Sequence, residues 1–211
     1  TSGEITKKIG VSRQYVNLVI SDLIAEKQVI KLGGTRNAFY VSKEYISKNP
    51  EIIPSVLKKK YKNELLEEHK ILLEIEEKFP RIAQLPENIK NIFTFAFSEM
   101  LNNAIEHSQS KIISVEVSVR EKDLSFIVND SGVGAFRNIM KKKNLKSEIE
   151  AIQDLLKGKT TTMPKSHSGE GIFFTSKAGD VFILDSFGYR LSVNTIKPNV
   201  AIHHLPTRKR G

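Results

Sequence analysis

A helical stretch of apolar residues between Phe93 and His107 contains a narrow stripe of polar side chains. Glu99 and Asn103 are four residues apart and therefore share one face of the predicted helix, with His107 one turn further on. A carboxylate and a carboxamide among core-type neighbours lose hydration unless a partner or a ligand meets them. In a site, the amide oxygen would suit Mg²⁺ and the carboxylate could polarise a water or a hydroxyl. The spacing is common on helix faces, however, and on its own favours a capped or solvated stripe over a site.

Two glycine-containing segments follow this helix. Residues 111–120 alternate apolar and polar, as a half-buried strand does, and residues 124–128 return as a second strand. The second strand leads into residues 129–134, where Asp130 can accept a hydrogen bond from an exocyclic amine and two glycines let a planar ring approach. Further along, residues 169–172 open a helix, whose N-terminal N–H groups and dipole suit phosphate.

Together these three segments resemble the motifs of the GHKL ATPase superfamily, which includes gyrase, histidine kinases and anti-sigma-factor kinases. Residues 98–107 match its N box, residues 130–134 its Asp-x-Gly-x-Gly box, and residues 169–171 its second glycine box. The order and the spacing of the three boxes also agree. The resemblance implies an α+β chain in which residues 91–207 form a Bergerat-fold α/β sandwich that binds ATP and Mg²⁺.

The resemblance also implies a role for each matching residue. Asn103 would be the Mg²⁺ ligand, and Glu99 would be the base for the attacking group. Asp130 would bind adenine, with Gly132 and Gly134 letting the ring approach. Main-chain N–H groups of the second glycine box would bind the phosphates, at Gly169, Glu170, Gly171 and Ile172.

Two further expectations concern the surroundings of the nucleotide. Residues 135–168 would be the mobile lid, and Ser186 would take the place of a hydroxyl that such families put near adenine. The N box looks most like that of anti-sigma-factor serine kinases, which phosphorylate a small antagonist protein. The second glycine box departs from their pattern, because Phe173 and Phe174 follow Ile172. Whether Glu99 catalyses a reaction or only helps to bind nucleotide therefore stays open.

Two short helical patterns and two strand-like runs occupy residues 1–47. Apolar spacing predicts one helix that ends at Gly10 and a second that is capped by Ser12, followed by a hairpin around a Gly-rich turn. This order resembles the winged helix-turn-helix family, which implies binding to duplex DNA. Side chains suited to base edges and phosphates are Arg13, Gln14, Tyr15, Asn17 and Arg36. The basic bias of the segment is modest, so a winged helix used only for protein contacts is the alternative.

Residues 48–90 are predicted to form a helical connector between the two domains, because the charged stretch 56–79 has a helical pattern. The run Lys58-Lys59-Lys60 is then a solvated helix face. A long helix here could also be a dimer contact, which leaves a homodimer open. His69 lacks the adjacent acid and the proline that accompany the phosphorylated histidine of sensor kinases, so we interpret it as a surface residue.

Composition limits the classes of function. A formal net charge of +9 favours polyanionic partners such as nucleic acid or nucleotide phosphates. The absence of cysteine excludes a disulfide framework and a thiol nucleophile. No apolar run is long enough to span a membrane and no secretory leader is visible, so we expect a cytoplasmic protein with no membrane partner. Because the chain begins at Thr1 rather than Met, we expect it to be part of a longer protein.

The first functional hypothesis is a transcriptional regulator that couples ATP–Mg²⁺ occupancy of residues 91–207 to DNA binding by residues 1–47. Its chemistry would be ATP hydrolysis or phosphoryl transfer to a Ser or Thr of an antagonist or sigma-type protein partner. The alternative is a nucleotide sensor that does not hydrolyse ATP and acts through protein–protein contacts.

Overall fold

The computed structural model describes residues 1–26, 28–33, 38–121, 123–158 and 170–206. Within these ranges the chain is a mixed α+β structure, as the sequence predicted, with a two-stranded sheet and two three-stranded sheets. None of the described helices has the length and apolar composition that a membrane span requires.

The N-terminal segment contains two helices and a β-hairpin. Helix α1 (Ser2–Ile9) ends at Gly10, whose φ of 74° is favourable only for glycine. Helix α2 (Arg13–Ala25) begins after Ser12, whose side chain accepts a hydrogen bond from the Tyr15 N–H. Strands β1 (Val29–Leu32) and β2 (Phe39–Ser42) pair antiparallel, and α3 (Lys43–Lys48) follows at once. A small core forms here from Leu32, Val41, Ile46 and Ile53.

The prediction of a helical connector is wrong over residues 56–62, which form strand β3 (Val56–Lys62). β3 pairs antiparallel with β4. The α-helices of this region are α4 (Glu68–Lys78) and the start of α5 (Glu87–Asn102), and short 3-10 turns lie at Pro50–Ile52 and Ile82–Gln84. The run of lysines suits a strand because neighbouring side chains of a strand point to opposite faces. Lys59 lies on the inner face with Tyr61, whereas Lys58 and Lys60 are exposed on the other face.

Strands β3, β4 (Ile112–Arg120) and β5 (Asp123–Asn129) form the first three-stranded sheet, in that order. Its inner face packs against α4 and α5 and makes the first core of the C-terminal region. The largest fully buried side chains of this core come from the helices and from β4, and they include Ile75, Phe79, Ile82, Phe93, Phe97, Leu101, Ile113 and Val117. Because β3 and α4 belong to this core, the C-terminal domain begins before the predicted boundary at residue 91.

A second core forms around the other sheet, which contains β6 (Val181–Ser186), β7 (Tyr189–Asn194) and β8 (Asn199–His204). Helices α6 (Ala135–Lys142), α7 (Glu148–Leu156) and α8 (Glu170–Ala178) cover it. Its buried residues include Phe136, Ile139, Ile152, Leu155, Ile172, Leu191 and Val193. Helices α5 and α8 pack on each other and join the two cores.

Hydrogen bonds connect the segment after the N-terminal core to the C-terminal domain. The Arg81 side chain donates to the Ile53 carbonyl oxygen at 2.8 Å and to the Pro54 carbonyl oxygen at 3.1 Å. The Val119 N–H of β4 donates to the Ser55 carbonyl at 2.9 Å. Ile53 belongs to the N-terminal core and Val56 begins β3, so only two residues separate the core from the sheet.

Glu74 of α4 accepts hydrogen bonds from three side chains, those of Lys59, Lys78 and Tyr61. Burial alone would raise the pKa of Glu74, but these hydrogen bonds outweigh burial and hold the pKa at about 2. The carboxylate therefore ties β3 to α4, and it does so only in its ionised form.

Glu74→Gln should lower the free energy of unfolding at pH 7 by about 1 kcal/mol, a value that allows for solvent screening of the ion pairs. Since the folded-state pKa lies below the ordinary 4.5, the contribution of Glu74 is present above pH 4.5 and is lost as the pH falls towards 2. Chemical denaturation at several pH values measures both effects. The exposed Glu77→Gln variant is the control, and equal acid sensitivity of the two variants would contradict this role of Glu74.

Candidate functional site

The loop after β5 is folded around the Asp130 carboxylate. The Gly132 N–H donates to Asp130 Oδ1 at 2.8 Å, and the aspartate is half-buried. Burial raises the pKa of Asp130 above its ordinary value, and the hydrogen bond from Gly132 offsets only part of that effect. A partly desolvated carboxylate with one oxygen held by the backbone can accept a further hydrogen bond from a ligand amine.

Two serines that the sequence analysis did not single out hold this loop in place. The Ser108 carbonyl accepts a hydrogen bond from the Val133 N–H at 2.7 Å, and the Ser110 hydroxyl accepts one from the Ser131 N–H at 3.1 Å. Both serines are buried. The signal available in the sequence was a pair of serines, two residues apart, directly after the polar stripe of the helix.

Gly132 has no room for a side chain. A Cβ at this position would lie 1.9 Å from the Ser108 carbonyl oxygen, which is a backbone atom and cannot rotate away. The need for glycine here comes from this close backbone approach. The loop that contains Asp130 is thereby fixed against the end of the α5 segment.

Gly134 packs against the turn between β6 and β7. It has a φ of 81°, and a Cβ there would lie 2.3 Å from the Phe187 ring and 2.5 Å from Ser186 Oγ. The Arg137 guanidinium lies over the Phe187 ring of this turn, 3.7 Å from its centre. Phe187 and Gly188 both have positive φ, as a two-residue type I′ hairpin turn requires.

Ser186 Oγ is fully buried and has no hydrogen-bond partner among the described residues. Thr175 Oγ1, on α8, is in the same situation. Buried hydroxyls are normally hydrogen-bonded. Thr175 is in the lining of the large cleft of this domain, whereas Ser186 is not. Ser186 lies beside Gly134, and its expected place near the nucleotide base stays a prediction.

Helix α5 changes its pitch where the polar stripe ends, because Asn103–His107 form a π-helical turn. Such turns widen the helix and are frequent at functional sites. The Asn103 side-chain nitrogen Nδ2 donates to the Glu99 carbonyl at 2.7 Å. With the nitrogen turned towards this carbonyl, the oxygen Oδ1 is the acceptor that Asn103 can offer to a cation.

Glu99 lies against the first turn of α8. A Cβ on Gly171 would be 1.8 Å from Glu99 Oε2, so the glycine makes space for the carboxylate. The positive end of the α8 dipole favours a negative charge at this position. The structure therefore places the candidate base next to the segment that the sequence predicts to bind phosphates.

A cleft of about 1300 Å³ brings part of the predicted site together. Its lining includes Asn103, Asp130, Gly134 and Ile172, and also His107 from the end of the polar stripe. Glu99, Gly132, Glu170 and Gly171 are not in this lining, although Glu99 touches Gly171 and Gly132 holds Asp130. Gly169 lies outside the described residues.

The predicted lid is not an open loop over residues 135–156. Helices α6 and α7 are packed into the second core, where Phe136 and Ile152 are fully buried. Arg137 forms an ion pair with Glu148 at 3.0 Å, which joins the two helices. Their amphipathic pattern explains this packing, since each presents an apolar face to β6–β8. Residues 159–168 of the predicted lid lie outside the described residues.

The side chains of the candidate site are better suited to Mg²⁺ that is bound together with ATP than to a metal ion that is held by protein side chains alone. Within the described ranges there is no group of three or more His, Cys, Asp or Glu residues that could hold a metal ion. Mg²⁺ in nucleotide sites usually takes one or two protein ligands and completes its shell with phosphate oxygens and water. A single amide oxygen from Asn103, in the same cleft as the half-buried Asp130 carboxylate, is compatible with that arrangement.

The side chains proposed to contact DNA lie together on the surface of α2. Arg13, Gln14, Tyr15 and Asn17 are all exposed in or near its first turn, with 58% of the Tyr15 surface accessible. Arg36 lies outside the described residues, so its place at a hairpin tip stays a prediction.

Comparison with known proteins identifies the family of the chain. The family model described as "Histidine kinase-like ATPase domain" matches residues 64–190, more than half of the chain. The chain therefore belongs to the histidine kinase-like ATPase domain family, and the predicted GHKL-type ATPase is confirmed at this level. No curated protein and no solved structure matches the chain.

Gly132→Ala should lower the free energy of unfolding by more than about 2 kcal/mol, because the new Cβ would overlap a backbone carbonyl that cannot move alone. Gly179→Ala is the matched control, since nothing lies within 4 Å of its Cβ and the expected change is within about 0.5 kcal/mol. Thermal or chemical denaturation compares the two variants. Equal stabilities would show that the Ser108–Gly132 approach is not a constraint.

Proposed function

We propose that this chain is an ATP–Mg²⁺-binding regulator, in which nucleotide occupancy of the C-terminal domain is coupled to DNA binding by the N-terminal segment. The family match supports ATP binding. The observation that carries the finer proposal is the half-buried Asp130 carboxylate in the lining of the cleft, next to Gly134, which leaves no room for a side chain.

Asp130 would bind the adenine base. Its carboxylate is an acceptor for the exocyclic amine, and Ser186 can donate to or accept from the ring edge. A purine that carries a carbonyl in place of the amine would present an acceptor to the carboxylate. ATP should therefore be preferred over GTP.

Asn103 and Glu99 would act at the phosphate end. Bound ATP–Mg²⁺ supplies a transferable phosphoryl group whose charge the cation partly neutralises. Asn103 would hold Mg²⁺ through Oδ1, and Glu99 would accept the proton of the attacking hydroxyl or water. The first turn of α8 would present main-chain N–H groups to the phosphates.

Phosphoryl transfer to a Ser or Thr of an antagonist or sigma-type protein is the reaction that we propose, from the resemblance of the N box to that of anti-sigma-factor serine kinases. Glu99 supports this reaction because its carboxylate lies beside the second glycine box. Hydrolysis uses the same residues with water as the attacking group. A sensor that binds ATP without consuming it is the alternative outcome of the turnover measurement below.

The N-terminal segment would bind duplex DNA. Helix α1, the turn at Gly10, α2 and the β1–β2 hairpin follow one another in the order of a winged helix-turn-helix. The first turn of α2 presents exposed Arg13, Gln14 and Asn17, which are suited to base edges in the major groove. We propose that this surface, and not β1–β2 alone, gives sequence selectivity.

Asp130→Ala should weaken ATP binding at least about 30-fold, because it removes a charged acceptor from a half-buried site. Asp22→Ala, at an exposed position of α2 outside the lining of the cleft, is the control and should bind normally. Isothermal titration or a thermal shift with ATP and Mg²⁺ measures the affinity. Because its raised pKa lets Asp130 take up a proton at a higher pH than an ordinary aspartate, wild-type affinity should also begin to fall at a higher pH. Unchanged affinity in Asp130→Ala would exclude this adenine assignment.

Glu99→Gln should retain ATP binding and lose turnover by about 10²- to 10⁴-fold, the range for a general base. Phosphate release, and transfer of labelled phosphate to a partner, are measured with and without Mg²⁺. Equal turnover in the wild type and in Glu99→Gln would exclude Glu99 as a catalytic residue. Tight ATP binding without any turnover in the wild type would favour the sensor.

Arg13→Ala should weaken binding to duplex DNA several-fold and reduce its salt dependence by about one counterion. Arg120→Ala, an exposed arginine at the end of β4, is the matched control. Fluorescence anisotropy over a range of salt concentrations measures both quantities. If deletion of residues 1–47 leaves DNA affinity unchanged, the DNA-binding role is excluded and protein contacts are favoured.

A further inference from the structure

Leu18 occupies the middle of the solvent-exposed face of α2. It is two residues from both Val16 and Ile20, the buried residues of this helix, and therefore lies about 200° around the helix from each of them. The accessible fraction of Leu18 is 61%. Because the buried side of the helix lies opposite, Leu18 can be covered only by a partner.

The side chains around Leu18 are mostly polar. Gln14 and Tyr15 lie one turn before it, and both are exposed. Ser21 and Asp22, which are also exposed, lie one turn after it. The centre of a protein–protein interface is instead a contiguous apolar area from which charged residues are depleted. A single leucine among polar groups therefore fits a ligand surface on which an isolated methyl group lies beside hydrogen-bonding atoms.

The major groove of duplex DNA presents such a surface at every A·T pair. Thymine exposes its 5-methyl group beside the O4 acceptor, and adenine exposes the N7 acceptor and the N6 amine. A Gln or Asn amide can bind both adenine atoms, and an apolar side chain can contact the methyl group. Gln14 and Leu18 are four residues apart, so their Cβ atoms are separated by about 5–6 Å. Since successive base pairs are about 3.4 Å apart, the two side chains can reach the same pair or neighbouring pairs.

The distribution of charge along α2 indicates which end of the helix would face DNA. Arg13 is its first residue, whereas Asp22 lies near its end and Glu26 follows it, and all three are exposed. Phosphates are attracted to the N-terminal end by Arg13 and by the helix dipole, and they are repelled from the acidic C-terminal end. The N-terminal part of the second helix is also the part that contacts bases in helix-turn-helix proteins. Leu18 then lies at the end of the base-facing part of α2, before the acidic residues.

We propose that α2 recognises A·T base pairs in the major groove, with Leu18 in contact with the 5-methyl group of thymine and Gln14 bound to adenine. The proposed DNA-binding role of the N-terminal segment is the basis of this inference, which adds the base pair that the segment selects. Contact with Leu18 removes the methyl group from water, and the loss of one such buried group corresponds to about a fourfold change in affinity. Leu18 is thus a specificity-determining residue, whereas Arg13 contributes mainly electrostatic attraction.

Replacement of thymine by deoxyuridine tests the contact, because it removes only the methyl group and keeps the hydrogen-bonding atoms of the base pair. The full chain is first used to select its preferred duplex from a random pool, and the selected duplex should be enriched in A·T pairs. Fluorescence anisotropy then measures the affinity for this duplex and for copies in which one thymine at a time is deoxyuridine. The wild type should lose affinity about fourfold at one or more positions. Leu18→Ala should bind the thymine duplex more weakly than the wild type and should not respond to deoxyuridine, because its shorter side chain no longer reaches the methyl group.

Leu73→Ala is the matched control, because Leu73 is a leucine of α4 with an accessible fraction of 62%, and this variant should respond to deoxyuridine as the wild type does. Thermal denaturation should show that Leu18→Ala keeps the stability of the wild type, since Leu18 is exposed.

The possible results separate this inference from the DNA-binding role on which it rests. If the wild type binds DNA but selects no A·T pairs, or does not respond to any deoxyuridine, recognition of thymine is overturned while the DNA-binding role stands. An equal response of Leu18→Ala and the wild type would overturn the contact with Leu18. If the chain binds no duplex at all, both proposals fail and Leu18 is assigned to a protein contact.

Discussion

The close approach of Gly132 to the Ser108 carbonyl is the contact on which the candidate site depends. It leaves no space for a side chain, and the adjacent Val133 N–H bonds to the same carbonyl. The loop after β5 is thereby fixed to the end of the α5 segment, where the π-helical turn places Asn103. Without this contact, the carboxylate of Asp130 and the amide of Asn103 would belong to separate elements with no fixed relation.

Helix α5 also separates the two hydrophobic cores of the C-terminal domain and packs against both of them. Phe93 and Phe97 pack into the core under β3–β5, whereas Met100 packs against the core under β6–β8. Glu99 lies between these faces and touches α8 at Gly171. One helix therefore supplies both cores and the polar stripe, which explains why apolar and polar residues alternate so closely along it. The cost of burying polar groups there is offset only if ligands or partners meet them.

The sequence was sufficient to predict those helices and strands whose structure is determined by a local pattern of residues. The polar stripe, the strand pair before Asp130 and the helix after Gly171 were predictable because periodicity and glycine spacing are properties of short segments. Residues 56–62 were assigned wrongly, because a run of lysines shows no alternation until a sheet partner defines the two faces. The roles of Ser108 and Ser110 depend on contacts with a loop more than twenty residues away, and such contacts leave no trace in local patterns.

The correction at β3 changes how the two ends of the chain can communicate. A helical connector would have separated the N-terminal segment from the nucleotide site by a rod. Instead, Ile53 is in the N-terminal core, β3 begins three residues later, and Arg81 holds the Ile53 carbonyl. Since β3 pairs with β4 and β4 with β5, a movement of β5 displaces a sheet whose first strand is joined to the N-terminal core almost directly. The proposed coupling between ATP and DNA would then require no separate transmitting element, because the sheet that leads to Asp130 is also the sheet that the N-terminal segment joins.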